Sequence, residues 1–191
     1  MKYPMTAVIF AGGKSTRMGS DKALLPFGKH NSLAQYQYER LEALFEKTYL
    51  SAKENKFDFD PCLIIDKEKT FSPLVSLVTI FETLRVDKIF VLSVDAPFVD
   101  ESVMAALIEA GGHFDIVAAQ SKQGTQPLCA VYHKSILPLA KKHLKDENHK
   151  LNNLLEKSNT HLVYFEDESL FMNLNEISQY NKALSILSTL Q

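Results

Sequence analysis

Residues 6–29 run TAVIFAGGKSTRMGSDKALLPFGK, and the stretch from Ala11 to Lys22 sets two adjacent glycines beside the cations Lys14, Arg17 and Lys22. Gly13-Lys14-Ser15 ends like a Walker A loop, whose G-x-x-x-x-G-K-[ST] pattern calls for a further glycine five residues before Gly13. That place is Val8, inside the apolar run Thr6-Ala7-Val8-Ile9-Phe10. The spacing therefore excludes a P-loop. What remains is a buried strand feeding directly into Ala11-Gly12-Gly13. Glycines lack a Cβ and let the backbone come close to a ligand, and successive exposed N–H groups form an anion-binding concavity. Arg17 can grip phosphate oxygens in pairs, while a lysine acts as a point charge. Gly-Gly by itself marks turns everywhere. The fixed succession of Arg17, Met18, Gly19 and Lys22 favours a phosphate loop over a solvated turn.

Three further groups have the right chemistry. Asp95 ends the apolar run Lys88-Ile89-Phe90-Val91-Leu92-Ser93-Val94, and Ala96-Pro97 stops the strand behind it. A carboxylate there suits Mg²⁺, which often takes only one or two protein carboxylates together with phosphates. The competing role, capping the following helix, falls better to Asp100. Asp66 ends Cys62-Leu63-Ile64-Ile65 in the same way, and two readings stand side by side: a ligand contact, or a solvated acid opening a polar loop. Asn173 and Asn175 precede the last helix; Asn175 is the expected N-cap, and a contact to metal or phosphate is the second role. The six histidines show no ligand spacing and are expected at the surface or in loops. Neither a Gly-x-Ser-x-Gly elbow nor an H-E-x-x-H helix occurs.

The elements that must position these groups follow from periodicity. A helix is expected from a cap at Asn31 through about Lys47, then a strand at 48–52 and another at 62–65. Ser72 as N-cap and Pro73 at the first helical position predict a helix through Leu84. The continuous apolarity of 88–94 predicts a strand covered on both faces. A helix starting near Glu101 follows, with strands at 115–119, 128–132 and 161–165 and helices at 134–144, 150–157 and 175–188. Alternating β and α elements predict a single-domain, Rossmann-like α/β fold over residues 1–191, with a mostly parallel sheet and helices on both faces. Ligands in such sheets bind at the carboxyl ends of the strands, where the glycine loop, Asp66 and Asp95 all fall.

Composition bounds the rest. A chain of 191 residues with 46% hydrophobic content suits one core. Twenty-one basic against 23 acidic residues leave a net charge of −2 and no electrostatic case for nucleic acid. Cys62 and Cys129 lie in apolar runs and are expected as buried free thiols. The first apolar stretch is too short for a signal h-region, and no run approaches a membrane-spanning length, so a cytoplasmic protein without membrane association is the expectation.

Together these residues carry a resemblance. AGGKSTRMGSDK resembles the signature of the molybdenum cofactor guanylyltransferases, in the nucleotidyltransferase superfamily that includes sugar-nucleotide pyrophosphorylases. Ser93-Val94-Asp95-Ala96-Pro97 resembles the family's Cys-Asp-Thr-Pro turn. Gln126 to Tyr132 is similar to its acceptor-side strand, and Phe171-Met172-Asn173-Leu174-Asn175 to its Asn-x-Asn turn. The resemblance spans most of the chain. It implies GTP held by the backbone of Phe10, Ala11, Gly12 and Gly13, with Lys22 on phosphates, Asp66 at the nucleoside and Asp95 on Mg²⁺. It also implies molybdopterin as acceptor, and proteins that mature molybdoenzymes as partners. Three departures bear on base choice: Ser72-Pro73-Leu74-Val75-Ser76 replaces Gly-Pro-Leu-Ala-Gly, Lys53 stands where many members carry Asn, and Glu176-Ile177 replaces Thr-Pro.

The implied reaction moves GMP from Mg²⁺-GTP to the terminal phosphate of molybdopterin and releases pyrophosphate. A phosphate monoester has a second pKa of about 6, so the nucleophile is already ionised near neutrality. No strong general base is then required. Both reactants are anions, and Lys14, Arg17, Lys22 and an Asp95-bound Mg²⁺ would offset their repulsion. The rivals are a cytidylyltransferase on the same acceptor, a nucleotidyltransferase acting on a sugar phosphate, and a non-catalytic pterin carrier.

Overall fold

The computed structural model describes residues 2–13, 21–66, 70 and 72–189. In chain order the elements are β1 (Tyr3–Phe10), α1 (Leu33–Leu44), β2 (Phe45–Ala52), β3 (Leu63–Ile65), α2 (Pro73–Leu84), β4 (Lys88–Ser93) and α3 (Glu101–Glu109). Then come β5 (Ile116–Ser121), β6 (Gly124–His133), α4 (Leu137–Lys145), α5 (Leu151–Lys157), β7 (Thr160–Tyr164) and α6 (Ile177–Thr189). The strands form one sheet in the order β3-β2-β1-β4-β6-β5-β7. All neighbouring pairs are parallel except β4 with β6 and β5 with β6, so among the described strands β6 alone runs against the rest.

The expected α/β architecture is present, and the period of two in the strands explains its layers. Along β1 and the residue after it, Ala7, Ile9 and Ala11 enter one core while Val8 and Phe10 enter the other. Along β4, Phe90 and Leu92 join the first core and Ile89 and Val91 the second. Leu33 and Leu41 of α1, Met104 of α3 and Ala183 of α6 cover the first face. Leu77 of α2, Ala140 of α4 and Leu154 of α5 cover the second. Helices thus lie on both faces, and residues Ile89–Leu92 are fully buried.

Helix α2 begins as its sequence requires. Ser72 Oγ accepts from Val75 N–H, and Pro73 occupies the first turn, where a missing N–H costs nothing. Helix α1 departs from expectation at both ends. Its cap is Ser32, whose Oγ accepts from Gln35 N–H at 3.2 Å, not Asn31. It stops at Leu44 rather than near Lys47, because Phe45 turns into the core and stacks on Phe90 with ring centroids 5.2 Å apart. Burial of an aromatic pair outweighs one further helical turn.

Cys129 is buried as expected, but Cys62 is exposed. It precedes β3, a three-residue strand on the sheet's edge with only β2 beside it. His143 also departs from expectation: it is a buried residue of α4. No helix among the described residues is long and apolar enough to cross a membrane.

Candidate active site

The carboxyl ends of β1, β4 and β3 bring the glycine turn, Asp95 and Asp66 onto one rim of the sheet. A cavity of about 440 Å³ opens there, lined by Gly12, Gly13, Lys22, Lys53, Asp66 and Asp95 among others. Its floor is backbone: Ala11 N–H donates to Ser51 O at 2.9 Å and Val94 N–H to Phe10 O at 3.1 Å. Neither Gly12 nor Gly13 has a positive φ. A Cβ at Gly12 would meet only ordinary contacts, 3.8 Å from Ala52 Cα and 4.0 Å from Ser51 O. A Cβ at Gly13 would meet no atom within 4 Å, so nothing described in the chain itself demands the small residue.

Lys22 opens a short 3₁₀ turn capped by Asp21, whose Oδ1 accepts from Ala23 N–H at 3.0 Å. Its ammonium pairs with Asp95 Oδ2 and donates to Asn175 Oδ1 at 3.2 Å. Ser93 Oγ donates to the other Asp95 oxygen. Asn175 was the expected helix cap, yet Gln179 Oε1 takes that task, accepting from Asn175 N–H at 2.8 Å and Glu176 N–H at 3.0 Å. The Asn175 carboxamide thereby faces Lys22. Leu174 N–H donates to Asp95 O at 2.9 Å, tying the 171–175 turn to the end of β4.

The far end of the cavity is different. The Asp66 side chain is 1% exposed and is held by Ser76 Oγ at 2.6 Å, Ser51 Oγ at 3.4 Å and Lys53 Nζ at 3.1 Å. Lys53 also donates to Thr70 O at 2.7 Å. Two of the residues that depart from the family pattern, Lys53 and Ser76, therefore bind Asp66. This network was not legible in the sequence, because its members lie on β2, α2 and the loop between.

A second cavity, of about 480 Å³, adjoins the first. Pro73, Ser93, Asp95 and Leu128 line both. Gln126, His149, Lys150, Asn152 and Asn173 contribute its polar groups. Of these, only Gln126 and Asn173 belong to motifs the sequence singles out. Lys56, also unmarked by any motif, donates to Ala11 O at 2.9 Å and pairs with Asp21, so it bridges these two residues. Lys14 and Arg17 lie outside the described residues.

The oxygens around Lys22, a carboxylate and a carboxamide, with the Ser93 hydroxyl on that carboxylate, are hard and suit Mg²⁺. A cation, the Lys22 ammonium, already sits among these oxygens. Among the described residues no group of three or more His, Cys, Asp or Glu could hold an ion alone.

Comparison with known proteins decides the family. Residues 7–162 match the MobA-like NTP transferase domain. The chain belongs to the MobA-like NTP transferase family. It is a nucleotidyltransferase, and the relatives of this MobA-like chain agree over nearly their full length. It is 36% identical over 186 residues to the molybdenum cofactor guanylyltransferase of Campylobacter jejuni subsp. jejuni, covering 96% of this chain and 97% of that one. It is 34% identical over 197 residues to the protein of the same name from Helicobacter pylori, covering 98% and 97%. The fold of this MobA-like chain matches the solved molybdopterin-guanine dinucleotide biosynthesis protein A from Archaeoglobus fulgidus, with a TM-score of 0.83 at 18% identity over 97% and 100% of the two chains.

Proposed function

We propose that this enzyme transfers GMP from GTP to the terminal phosphate of molybdopterin and releases pyrophosphate, with residues 1–191 acting as one nucleotidyltransferase domain. The observation that carries the reading is the junction of two cavities at Asp95, with Lys22 on that carboxylate. One cavity has room for a nucleotide against the glycine turn. The other has room for an acceptor, and the shared wall brings two phosphates together. The names of the Campylobacter and Helicobacter relatives support guanylyl transfer to the molybdenum cofactor.

In this reading each residue has a role. The N–H groups of Gly12 and Gly13 face the triphosphate, since that of Ala11 is taken by Ser51 O. Lys22 leaves Asp95 for the nucleotide's phosphates and balances charge that builds up as the bond to pyrophosphate breaks. Arg17 takes part through its guanidinium, which can grip phosphate oxygens in pairs. Asp95 and the Asn175 carboxamide would hold Mg²⁺. When bound, Mg²⁺ supplies charge neutralisation and polarises the phosphoryl oxygens. At the far end, the Asp66 network of Ser51, Lys53 and Ser76 meets the nucleoside. Catalysis is then alignment and electrostatic stabilisation, with no side-chain base abstracting a proton.

The test is thermal unfolding with Mg²⁺ and each of GTP, CTP, ATP and UTP, repeated on Asp95→Ala, followed by pyrophosphate release with molybdopterin. A ligand at ~100 times its Kd stabilises by about 2.7 kcal/mol, a clear midpoint shift. Selective, Asp95-dependent stabilisation by GTP is expected. Preference for CTP would change the product and keep the chemistry. A chain indifferent to all four nucleotides would sink the reading.

A further inference from the structure

We propose that Gln37 and Arg40 of α1 are positioning residues that hold Asp95 at the junction of the two cavities; this rests on the reading of Asp95 as the metal carboxylate. Neither residue lines either cavity. Three positions apart on a helix, they share one face. Gln37 Nε2 donates to Ser93 O at 3.4 Å and Val94 O at 3.3 Å, the two carbonyls before Asp95. Arg40 Nη1 donates to Pro97 O at 3.0 Å and Val99 O at 2.7 Å, two carbonyls after it. Arg40 Nη2 donates to Gln37 Oε1, so the two side chains act as one brace. Asp95's own carbonyl accepts from Leu174 N–H at 2.9 Å. The backbone is therefore pinned before, at and after the residue that carries the carboxylate.

The brace is costly, which argues against mere helix packing. Gln37 is fully buried. Burial lowers the Arg40 guanidinium below its ordinary pKa, and the neighbouring Tyr36 and Asp100 side chains oppose that shift. Among the described residues no carboxylate forms an ion pair or hydrogen bond with Arg40. A charge taken out of water without an ionic partner is expensive. The apolar contact of α1 with the sheet is already supplied by Leu33, Ala34 and Leu41. What Arg40 and Gln37 add is direction. A planar guanidinium can donate to two carbonyls and a carboxamide at once, whereas a lysine cannot match that fork. With the flanking carbonyls fixed, the direction of the Asp95 Cβ, and so of its carboxylate, is fixed too. Groups that orient a metal ligand typically cost 10–100-fold in affinity or activity when removed.

The experiment compares the full chain with Arg40→Met, Arg40→Lys, Gln37→Leu and a control, Leu107→Ala, which hollows the same core without touching the brace. Binding of the Mn²⁺–GTP complex is read from loss of the free Mn²⁺ electron-paramagnetic signal, alongside kcat and KM. Arg40→Met and Gln37→Leu should weaken Mn²⁺–GTP binding and lower kcat by ~10–100-fold each. Arg40→Lys should recover part of the loss. Leu107→Ala should lower the melting temperature and leave binding unchanged. Brace variants that melt early but bind Mn²⁺–GTP like the parent would overturn the proposal and leave a structural role only. If Arg40→Met fails to fold, Gln37→Leu decides the matter by the same criterion. Failure of the parent chain to bind Mn²⁺–GTP is a separate result, which overturns the proposed function and this inference with it.

Discussion

Lys22 and Asp95, 73 positions apart in the chain, form an ion pair at the junction of two cavities. In the proposed reaction the lysine occupies the oxygens that Mg²⁺ would take until phosphates draw it away. Lys22→Ala is expected to lower turnover by ~10²–10³, the usual loss for one preorganised donor at a transition state. The same variant should bind Mn²⁺ more tightly than the parent in the absence of nucleotide. Pyrophosphate release and a Mn²⁺ titration check the two halves, and near-parental turnover would remove Lys22 from the mechanism.

Ser76 and Lys53 hold Asp66 at the other end of the first cavity. Ser76→Ala removes a 2.6 Å hydrogen bond to a buried carboxylate, worth about 1.5–3 kcal/mol for a charged acceptor. Lys53→Met leaves Asp66 without its cation and should destabilise at least as much. Both variants should discriminate less between GTP and the other nucleotides. Denaturant unfolding measures the first effect, and midpoint shifts with the four nucleotides measure the second. Unchanged discrimination in both would place base choice elsewhere.

Asn175 and Gln179 divide two tasks that one asparagine could have combined. Gln179→Ala should cost ~1 kcal/mol, as for a lost helix cap, with a small effect on turnover. Asn175→Ala should reverse the balance, keeping most stability and losing activity. A paired comparison of melting and rate decides, and identical profiles for the two variants would contradict this division.

The two thiols should differ sharply. Burial pushes the Cys129 thiol up to about 12, with the nearby Arg40 charge opposing only part of the shift. The thiolate is the reactive form, so Cys129 should stay unlabelled at pH 8 in the folded chain. Exposed Cys62 should label readily. Titration with a chromogenic disulfide should count one thiol native and two in denaturant; two fast thiols in the native state would mean the 129 site opens.

Much of this protein is legible in the linear chain where one residue type has a single physical use. The start of α2 at Ser72-Pro73 matches expectation to the residue, because capping and the missing proline N–H act locally. Asp100 caps α3, accepting from Val103 N–H at 3.1 Å, for the same reason. Strand alternation and continuous apolarity in β1 and β4 also determined the layered sheet, and hence the shared rim for the glycine turn, Asp66 and Asp95. Where the outcome depends on a distant partner, the chain order holds no signal. Phe45 ends α1 because Phe90 is there to stack on. Asn175 turns from helix cap to lysine partner because Gln179 supplies the cap and Lys22 arrives from 153 positions away. The bracing of Asp95 by Gln37 and Arg40 spans 56 to 59 positions and uses backbone carbonyls, which no residue type advertises. Sequence by itself determined the elements, the rim and the chemical types collected on it, since these follow from local backbone and burial preferences. Only the tertiary structure decided which donor meets which acceptor, because that is set by the packing of α1 and the 171–175 turn against the end of β4.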